Sequence, residues 1–346
     1  MTKSNPGHYF EDFHIGMKLP HATPLSLSAG DISLYRALTG ARHALYSAAT
    51  FASANGFDGL PIDPLLAFHV IFGKTVPDIS LNAVANLGYG DGRFLKPVYP
   101  GDTLRAESEV IGLKQNSNGK TGVVYVRTQG LNQTGDVVLS YIRWVMVNKK
   151  NSAAPVPETC IPEFPKTVDP GTLPDLPNYA DWDNTLAGSP YRYEDYTIGE
   201  KINHVDGMTV EEAEHQIATR LYQNTAKVHF DGYGQLSSRF GKRLIYGGVV
   251  ISIARALSFN GLGNAAQMLA INGGTHAGPL FAGETVYAWS EVLDKTELNA
   301  TTGALRLRLV AVKDQDPAEF ALRTPDNKYA SGVCLDFDYW AAIPKH

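Results

Sequence analysis

The chain contains two cysteines, Cys160 and Cys334, among 346 residues. They stand far apart with no CxxC, so neither a disulfide framework nor a cysteine-based zinc site organises the protein. Charge is also sparse, at 19% of residues, with a net value near −5 and a pI of about 6.1. That balance excludes a general nucleic-acid or anionic-membrane surface, while leaving room for a local basic patch facing a phosphorylated ligand. No apolar run is long enough to span a bilayer, and the longest, Gly248–Phe259, is interrupted by Arg255. The opening residues Met1–His8 lack the apolar stretch of a secretory signal. A soluble, cytoplasmic chain in a reducing compartment is expected. HxxxH and paired-carboxylate spacings are missing, which argues against a metal. No GxGxxG or GxxxxGKS/T opens a helix, so nucleotide-dependent redox or phosphoryl chemistry has no support.

What is present is ordinary globular composition, 44% hydrophobic, with length for two domains. The chain is also written twice. Phe10–Leu19 (F-E-D-F-H-I-G-M-K-L) matches Tyr193–Ile202 (Y-E-D-Y-T-I-G-E-K-I) at five of ten positions. Pro97–Ile111 matches Pro279–Leu293 at seven of fifteen, and the two offsets are 183 and 182. Register kept this closely over so long a separation marks a duplicated unit. Between the copies, Asn148–Pro190 holds eight of the twenty prolines. Such a stretch suits neither a central strand nor a helix and reads as an extended crossover, with Phe164, Tyr179 and Trp182 to pack it down. The units are thus residues 1–147, a linker 148–190, and residues 191–346.

Each copy repeats one element order. A short strand leads to a helix with capping-box spacing, Ser28 with Asp31 in the first copy and Thr209 with Glu212 in the second. Next comes a segment apolar on nearly every face, Pro61–Val76 or Leu244–Phe259. Strands follow at Thr103–Leu113, Gly122–Gln129 and Val137–Val147, then at Thr285–Leu293, Ala304–Val312 and Tyr329–Trp340. A buried helix followed by long antiparallel strands implies an α+β unit in which a curved sheet wraps the helix. Two such units can lie edge to edge, each covering the other's exposed strand.

Chemistry concentrates in Gln223–Asp231, Q-N-T-A-K-V-H-F-D. His229 is a base able to take a proton from water near neutral pH. The glycine pair Gly247-Gly248 opens the following apolar helix, whose N–H groups could receive a developing oxyanion. The same pair would also allow close helix–sheet packing. His215 and His276 have no partner assignable from sequence. Arg255, deep in the apolar helix, is either a snorkelling side chain or part of an internal ion pair.

The P-x-x-x-G-D/E-T strand entry in both copies, with a helix ahead of a histidine, resembles the MaoC-like hydratases and dehydratases of the hot-dog fold. The resemblance is to their tandem double hot-dog form and covers the chain outside the proline-rich crossover. It implies two curved antiparallel sheets, each around a central helix, and addition of water to a 2-enoyl-CoA without a further cofactor. The family segment G-D-x-N-P-x-H places its histidine at His229 and its aspartate at Asn224, a departure from the pattern. The first copy has Ala41 and Tyr46 there, implying one working site per chain. The segment Tyr222–Phe230 is similar to the branch that hydrates mesaconyl-C1-CoA to β-methylmalyl-CoA. A β-carbon bearing a carboxylate would repel an aspartate at position 224, and asparagine removes that repulsion. Under this resemblance Arg42, His43, Tyr46, Lys227 and Arg239 are candidates for binding the substrate, and Arg93 and Lys96 for the CoA phosphates. A general 2-enoyl-CoA hydratase and a non-catalytic acyl-CoA-binding protein remain alternatives. A homodimer is compatible with the reading.

Overall fold

A computed structural model describes residues 3–173 and 176–346. The first copy supplies β1 (Lys18–Ser26), β2 (Ala83–Phe94), β3 (Thr103–Gln115), β4 (Thr121–Leu131) and β5 (Val137–Asn148). The second supplies β6 (Lys201–Thr209), β7 (Gln267–His276), β8 (Thr285–Glu297), β9 (Thr302–Lys313) and β10 (Val333–Pro344). They form one ten-stranded sheet in the order β1-β3-β4-β5-β2-β7-β10-β9-β8-β6. The second copy therefore repeats the strand order of the first in reverse, and the copies meet edge to edge where β2 pairs antiparallel with β7. At that seam Gly90 lies opposite Gly273, the repeat offset of 183 residues. His69 and Ser252, also 183 apart, are hydrogen-bonded at 2.8 Å. Equivalent positions touching each other mark an approximate two-fold axis through the molecule.

Neither seam strand is among the strands expected from the sequence. Glycines at 88, 90, 92, 273 and 274 dilute the strand pattern. Packing requires some of them. A Cβ on Gly90 would lie 2.5 Å from the Phe164 ring, and one on Gly92 would lie 2.8 Å from Ile271 Cβ.

The helices that matter here are α1 (Ala29–Thr39), α2 (Ala44–Ser47), α3 (Pro64–Thr75), α4 (Glu212–Leu221), α5 (Lys227–Phe230) and α6 (Gly247–Leu257). The two apolar segments become α3 and α6, each shorter than its apolar run. Leu65–Thr75 and Gly248–Ala256 are buried throughout. Each fully buried Leu, Ile, Val or Phe there contributes roughly 1.5–3 kcal/mol, so the two helices carry the core that the sheet encloses. Ser28 and Asp31 form the expected reciprocal cap on α1. On α4 the cap moves to Glu211 and Glu214. Thr209 instead ends β6, its hydroxyl 2.8 Å from that of Thr285, so strand pairing displaces the expected box.

Arg255 neither snorkels nor joins a carboxylate. Its guanidinium is buried and donates to His43 Nε2 (2.9 Å), Ser258 Oγ (2.8 Å) and the carbonyls of Ala265 and Ala266. The crossover packs as expected from its aromatics: Val168, Leu173, Tyr179 and Trp182 are buried against Leu45, Tyr46, Phe51 and Trp340.

Candidate active site

The Asn224–His229 segment is launched by a turn that the other copy holds down. Gln223 has φ 54, the left-handed region that a side chain adopts reluctantly. Lys74 from the end of α3, itself buried, donates to Gln223 Oε1 at 3.0 Å. Burial pushes the Lys74 ammonium down to about 8. Beside it, Gly73 lies so close to the Tyr222 carbonyl that a Cβ would sit 1.8 Å from its oxygen. Only glycine fits there. Asn224 is buried, its N–H donating to Thr219 O (2.9 Å) and its Oδ1 accepting from Ala226 N–H (3.2 Å). That contact fixes the amide orientation and launches α5, which carries His229. Asn224 Nδ2 is left as a buried donor without a partner.

His229 Nδ1 lies 2.8 Å from the Leu244 carbonyl oxygen. A carbonyl can only accept, so the proton sits on Nδ1 and Nε2 keeps its lone pair. Nε2 has no hydrogen-bond partner among the described residues. The ring is half-buried, and desolvation pushes its pKa down to about 4, outweighing the opposite effect of the Leu244 carbonyl. At neutral pH it is an uncharged base with its lone pair free.

Three further side chains surround it. The Tyr246 ring lies 5.4 Å from that of His229, and His215 stands edge-on to it at 6.2 Å. The Tyr246 backbone N–H donates to His215 Nε2 at 3.0 Å, which forces the His215 proton onto Nδ1. That Nδ1–H is buried and unpartnered. Burial, with His229 nearby, pushes His215 down to about 3, so it stays neutral. His276 packs on the start of α6, where a Cβ on Gly247 would lie 2.2 Å from its ring. Its Nε2 is 3.1 Å from the hydroxyl of Tyr89, a first-copy residue. His69 presses on Gly248 in the same way, 2.6 Å from where a Cβ would be. The glycine pair thus does serve close packing. It also begins a helix with no side-chain cap; Val249 N–H donates to Tyr246 O at 2.9 Å, while the Gly247 and Gly248 N–H groups precede the first intrahelical acceptor.

His229, Asn224, Gly247 and Gly248 come from the Gln223–Asp231 segment and the start of α6. The other expected residues are placed differently. His43 and Tyr46 sit in the first copy, around the start of α3. His43 is buried, takes the Arg255 hydrogen bond on Nε2 and is pushed well below the ordinary imidazole value by burial and by Arg255. Tyr46 lines a cavity of about 10 Å³ with His43 and Asp63, and a cleft of about 50 Å³ with Phe57, Ile62 and Lys96. Arg42 is exposed, over the Phe259 ring at 4.7 Å and 3.5 Å from Asp206. Arg93 is bonded to Asp91 and Thr172, and Lys96 to Asp136. Lys227 and Arg239 are exposed on either side of His229. Among the described residues, no group of His, Cys, Asp or Glu could hold a metal ion. No helix among them is long and apolar enough to cross a membrane.

His215, Tyr246, His276 and Tyr89 were not singled out by sequence as site residues. The usable signal for His215 is a histidine at the fourth residue of the capped helix that precedes the segment. For Tyr89 and His276 no local signal exists, because the seam strands bring them together.

The model of the mesaconyl-CoA hydratase family matches residues 1–325. The mesaconyl-CoA hydratase of Cereibacter sphaeroides is 59% identical over 346 residues, covering 99% of this chain and 100% of that protein. The β-methylmalyl-CoA dehydratase of Chloroflexus aurantiacus is 54% identical, covering 99% of each. A crystal structure of a MaoC-domain dehydratase from Chloroflexus aurantiacus superposes with a TM-score of 0.98 at 53% identity, with 100% of both chains covered. A double hot-dog protein of Mycobacterium tuberculosis shares the fold, with a TM-score of 0.74 at 24% identity over 98% of this chain and 99% of that one. The fold is a tandem double hot-dog, and the chain belongs to the mesaconyl-CoA hydratase family.

Proposed function

We propose that this protein is a hydro-lyase that adds water reversibly to mesaconyl-C1-CoA, giving β-methylmalyl-CoA, with no resident cofactor. The observation that carries the mechanism is the fixed tautomer of His229, a neutral Nε2 lone pair beside the uncapped start of α6. Nε2 takes a proton from water as the water oxygen bonds to the β-carbon. The electron pair of the double bond moves toward the thioester, and charge grows on its carbonyl oxygen. First-turn N–H groups at Gly247 and Gly248, at the positive end of the helix dipole, hold that oxygen. The imidazolium then returns its Nε2 proton to the α-carbon. One base giving and taking on one face makes the addition syn.

Asn224 Nδ2 and His215 Nδ1–H are buried donors that lack partners. An unpaired buried donor is costly unless a ligand completes it. We assign them to the reacting water and to the carboxylate on the β-carbon. Both donors are uncharged, which avoids the repulsion an aspartate would bring. His43 is unsuited to that anionic group, because its buried ring is neutral and engaged with Arg255. In this reading residues 191–346 carry the chemistry, and residues 1–147 have lost it at Ala41 and Tyr46. That first unit braces the site through Lys74 and Gly73, and residues 148–190 link the two. The protein works in the cytoplasm, as one chain or as a homodimer.

The test is hydration of mesaconyl-C1-CoA beside crotonyl-CoA, followed by loss of enoyl-thioester absorbance, with wild type and His229→Ala. Fast turnover of the dicarboxylic ester alone is expected, reduced about 10²–10⁴-fold in the variant. Preference for crotonyl-CoA would make the protein a general enoyl-CoA hydratase. Ester binding without turnover of either substrate would make it a binding protein.

A further inference from the structure

The segment that follows the base forms a loop with a closed neck. Leu244 N–H donates to Val228 O at 3.0 Å, and Leu244 O takes the His229 Nδ1 proton at 2.8 Å. Residues 231–243 between them project as a compact surface loop of the kind whose ends meet. Inside it Asp231 Oδ1 accepts from Gly234 N–H at 2.9 Å, so the loop's one carboxylate is spent on its own turn.

The surface of this loop is unlike the rest of a chain whose net charge is near −5. Tyr233 is 88% exposed and Leu236 66%, with Phe230 and Phe240 near 40%. Aromatic and aliphatic groups gathered in water on one loop mark a contact surface. The cations Lys227, Arg239, Lys242 and Arg243 are interleaved with them. Arg243 is paired with Glu212. Lys227, Arg239 and Lys242 have no carboxylate partner among the described residues. The Lys242 ammonium stands 4.2 Å over the Phe281 ring, which packs edge-on against Phe240 at 5.3 Å, and Arg239 leans on Phe240. Exposed aromatic faces beside unpaired cations are the chemistry that holds a nucleotide, by stacking on the base and pairing with phosphate.

We infer that the loop of residues 231–243, with Lys227 at its base, binds the adenosine 3′-phosphate 5′-diphosphate end of the CoA thioester. This rests on the proposed function and extends it. That end carries about four negative charges near neutral pH, matching three free cations. Its base takes the Tyr233 or Phe240 ring. The first-copy pair Arg93 and Lys96 is less suited, since each already has an acidic partner. Because the loop's neck is the hydrogen bond that fixes the His229 tautomer, closing the loop on the nucleotide would also steady the base.

The test compares the CoA ester with the pantetheine ester of the same acyl group, which lacks the nucleotide. The enzymes are wild type, Arg239→Gln/Lys242→Gln and Tyr233→Ser. Each variant should lose about tenfold in kcat/KM on the CoA ester, chiefly through KM. On the pantetheine ester each should match wild type. Calorimetry with adenosine 3′,5′-bisphosphate should show binding to wild type and none to the double variant. That readout holds even if the acyl substrate has been misassigned. Equal losses on both esters would overturn the inference by making the loop part of the catalytic fold. No loss on either, or a change of oligomeric state by light scattering at unchanged KM, would also overturn it, the latter marking a face between copies.

Discussion

The two copies of the unit differ most at the start of their central helices. α6 begins Tyr246-Gly247-Gly248, with no side chain capping it and two glycines that bring His276 and His69 against the backbone. α3 begins Asp63-Pro64-Leu65 at the equivalent positions. Asp63 caps it, Oδ1 accepting from Leu65 N–H at 2.8 Å, and Pro64 has no N–H to offer. One helix start is open to an incoming oxygen and the other is closed by its own residues. Under the proposed function, Tyr46 in place of His229 is therefore not the whole of what separates the first copy from the second. Restoring a histidine there would leave no donors for the oxyanion. On the proposed mechanism, catalysis needs a base and an unoccupied helix end together.

The largest effect, to which the second copy contributes four buried histidines and the first copy two, should appear in acid. Burial pushes His204, His229 and His276 down to about 4 and His215 to about 3 in the second copy. In the first copy it pushes His69 to about 3 and His43 well below its usual value. Unfolded histidine binds a proton below about 6.5. Between that value and about 4 the unfolded chain thus takes up protons that the folded chain refuses. Stability should be greatest above pH 6.5 and fall as pH drops toward 4, each proton shifting the folding equilibrium up to about tenfold per pH unit. Denaturant midpoints at pH 7.5, 6.5, 5.5 and 4.5 check this, and a flat profile would contradict it. Activity, by contrast, should hold down to pH 5, because His229 protonates only near 4.

Next in size is closing the open helix end. Gly247→Pro removes an N–H at a position where proline is conformationally acceptable, while Gly247→Ala keeps the N–H and adds the same Cβ contact with His276. We expect kcat for the proline variant to lie about 10²-fold below that of the alanine variant. Equal rates in the two would mean that only packing matters there.

The contrast between the copies was only partly legible in the sequence. The buried helices and six of the ten strands follow from apolar periodicity, which burial enforces directly, and the repeat adds the short opening strand of each copy, β1 and β6. Ala41 and Tyr46, standing where the second copy has Asn224 and His229, were visible once the copies were aligned. The closed end at Asp63-Pro64 was visible too as residues, but its meaning depends on a hydrogen bond. β2 and β7 escaped because their glycines answer tertiary contacts, and Tyr89 and His276 escaped with them. His215 was visible as a histidine and invisible as a donor, since its tautomer is set by a backbone N–H thirty-one residues away.

That tautomer can be separated from its structural consequence. Gln at 215 places an amide oxygen near the old Nε2 and can accept from Tyr246 N–H, but offers no donor at Nδ1. Asn places its amide near Nδ1 and loses the Tyr246 contact. If the donor serves the substrate, His215→Gln should keep its melting temperature and lose about tenfold in kcat/KM, while His215→Asn should be less stable yet more active than the Gln variant. The reverse order of activities would reduce His215 to a support for the Tyr246 backbone.

The smallest effect is predicted at the closed end. Losing the cap in Asp63→Ala should cost about 1 kcal/mol, with kcat unchanged if the first copy takes no part in the chemistry. The carboxyl itself is a mixed contribution, because burial pushes Asp63 up to about 6. Its folded value exceeds the unfolded one, so its favourable part is complete below about 3.8 and is lost as pH rises through 6. At pH 7.5 an asparagine, which caps as well without the charge, should make the protein at least as stable as wild type. At pH 5 the wild-type carboxyl is protonated and the advantage should shrink. Urea midpoints for Asp63→Asn and wild type at the two pH values decide it. An Asn advantage that grew in acid would show that Asp63 is held as an anion, most simply by Arg255. The closed end would then be an electrostatic partner of the catalytic helix rather than an inert remnant.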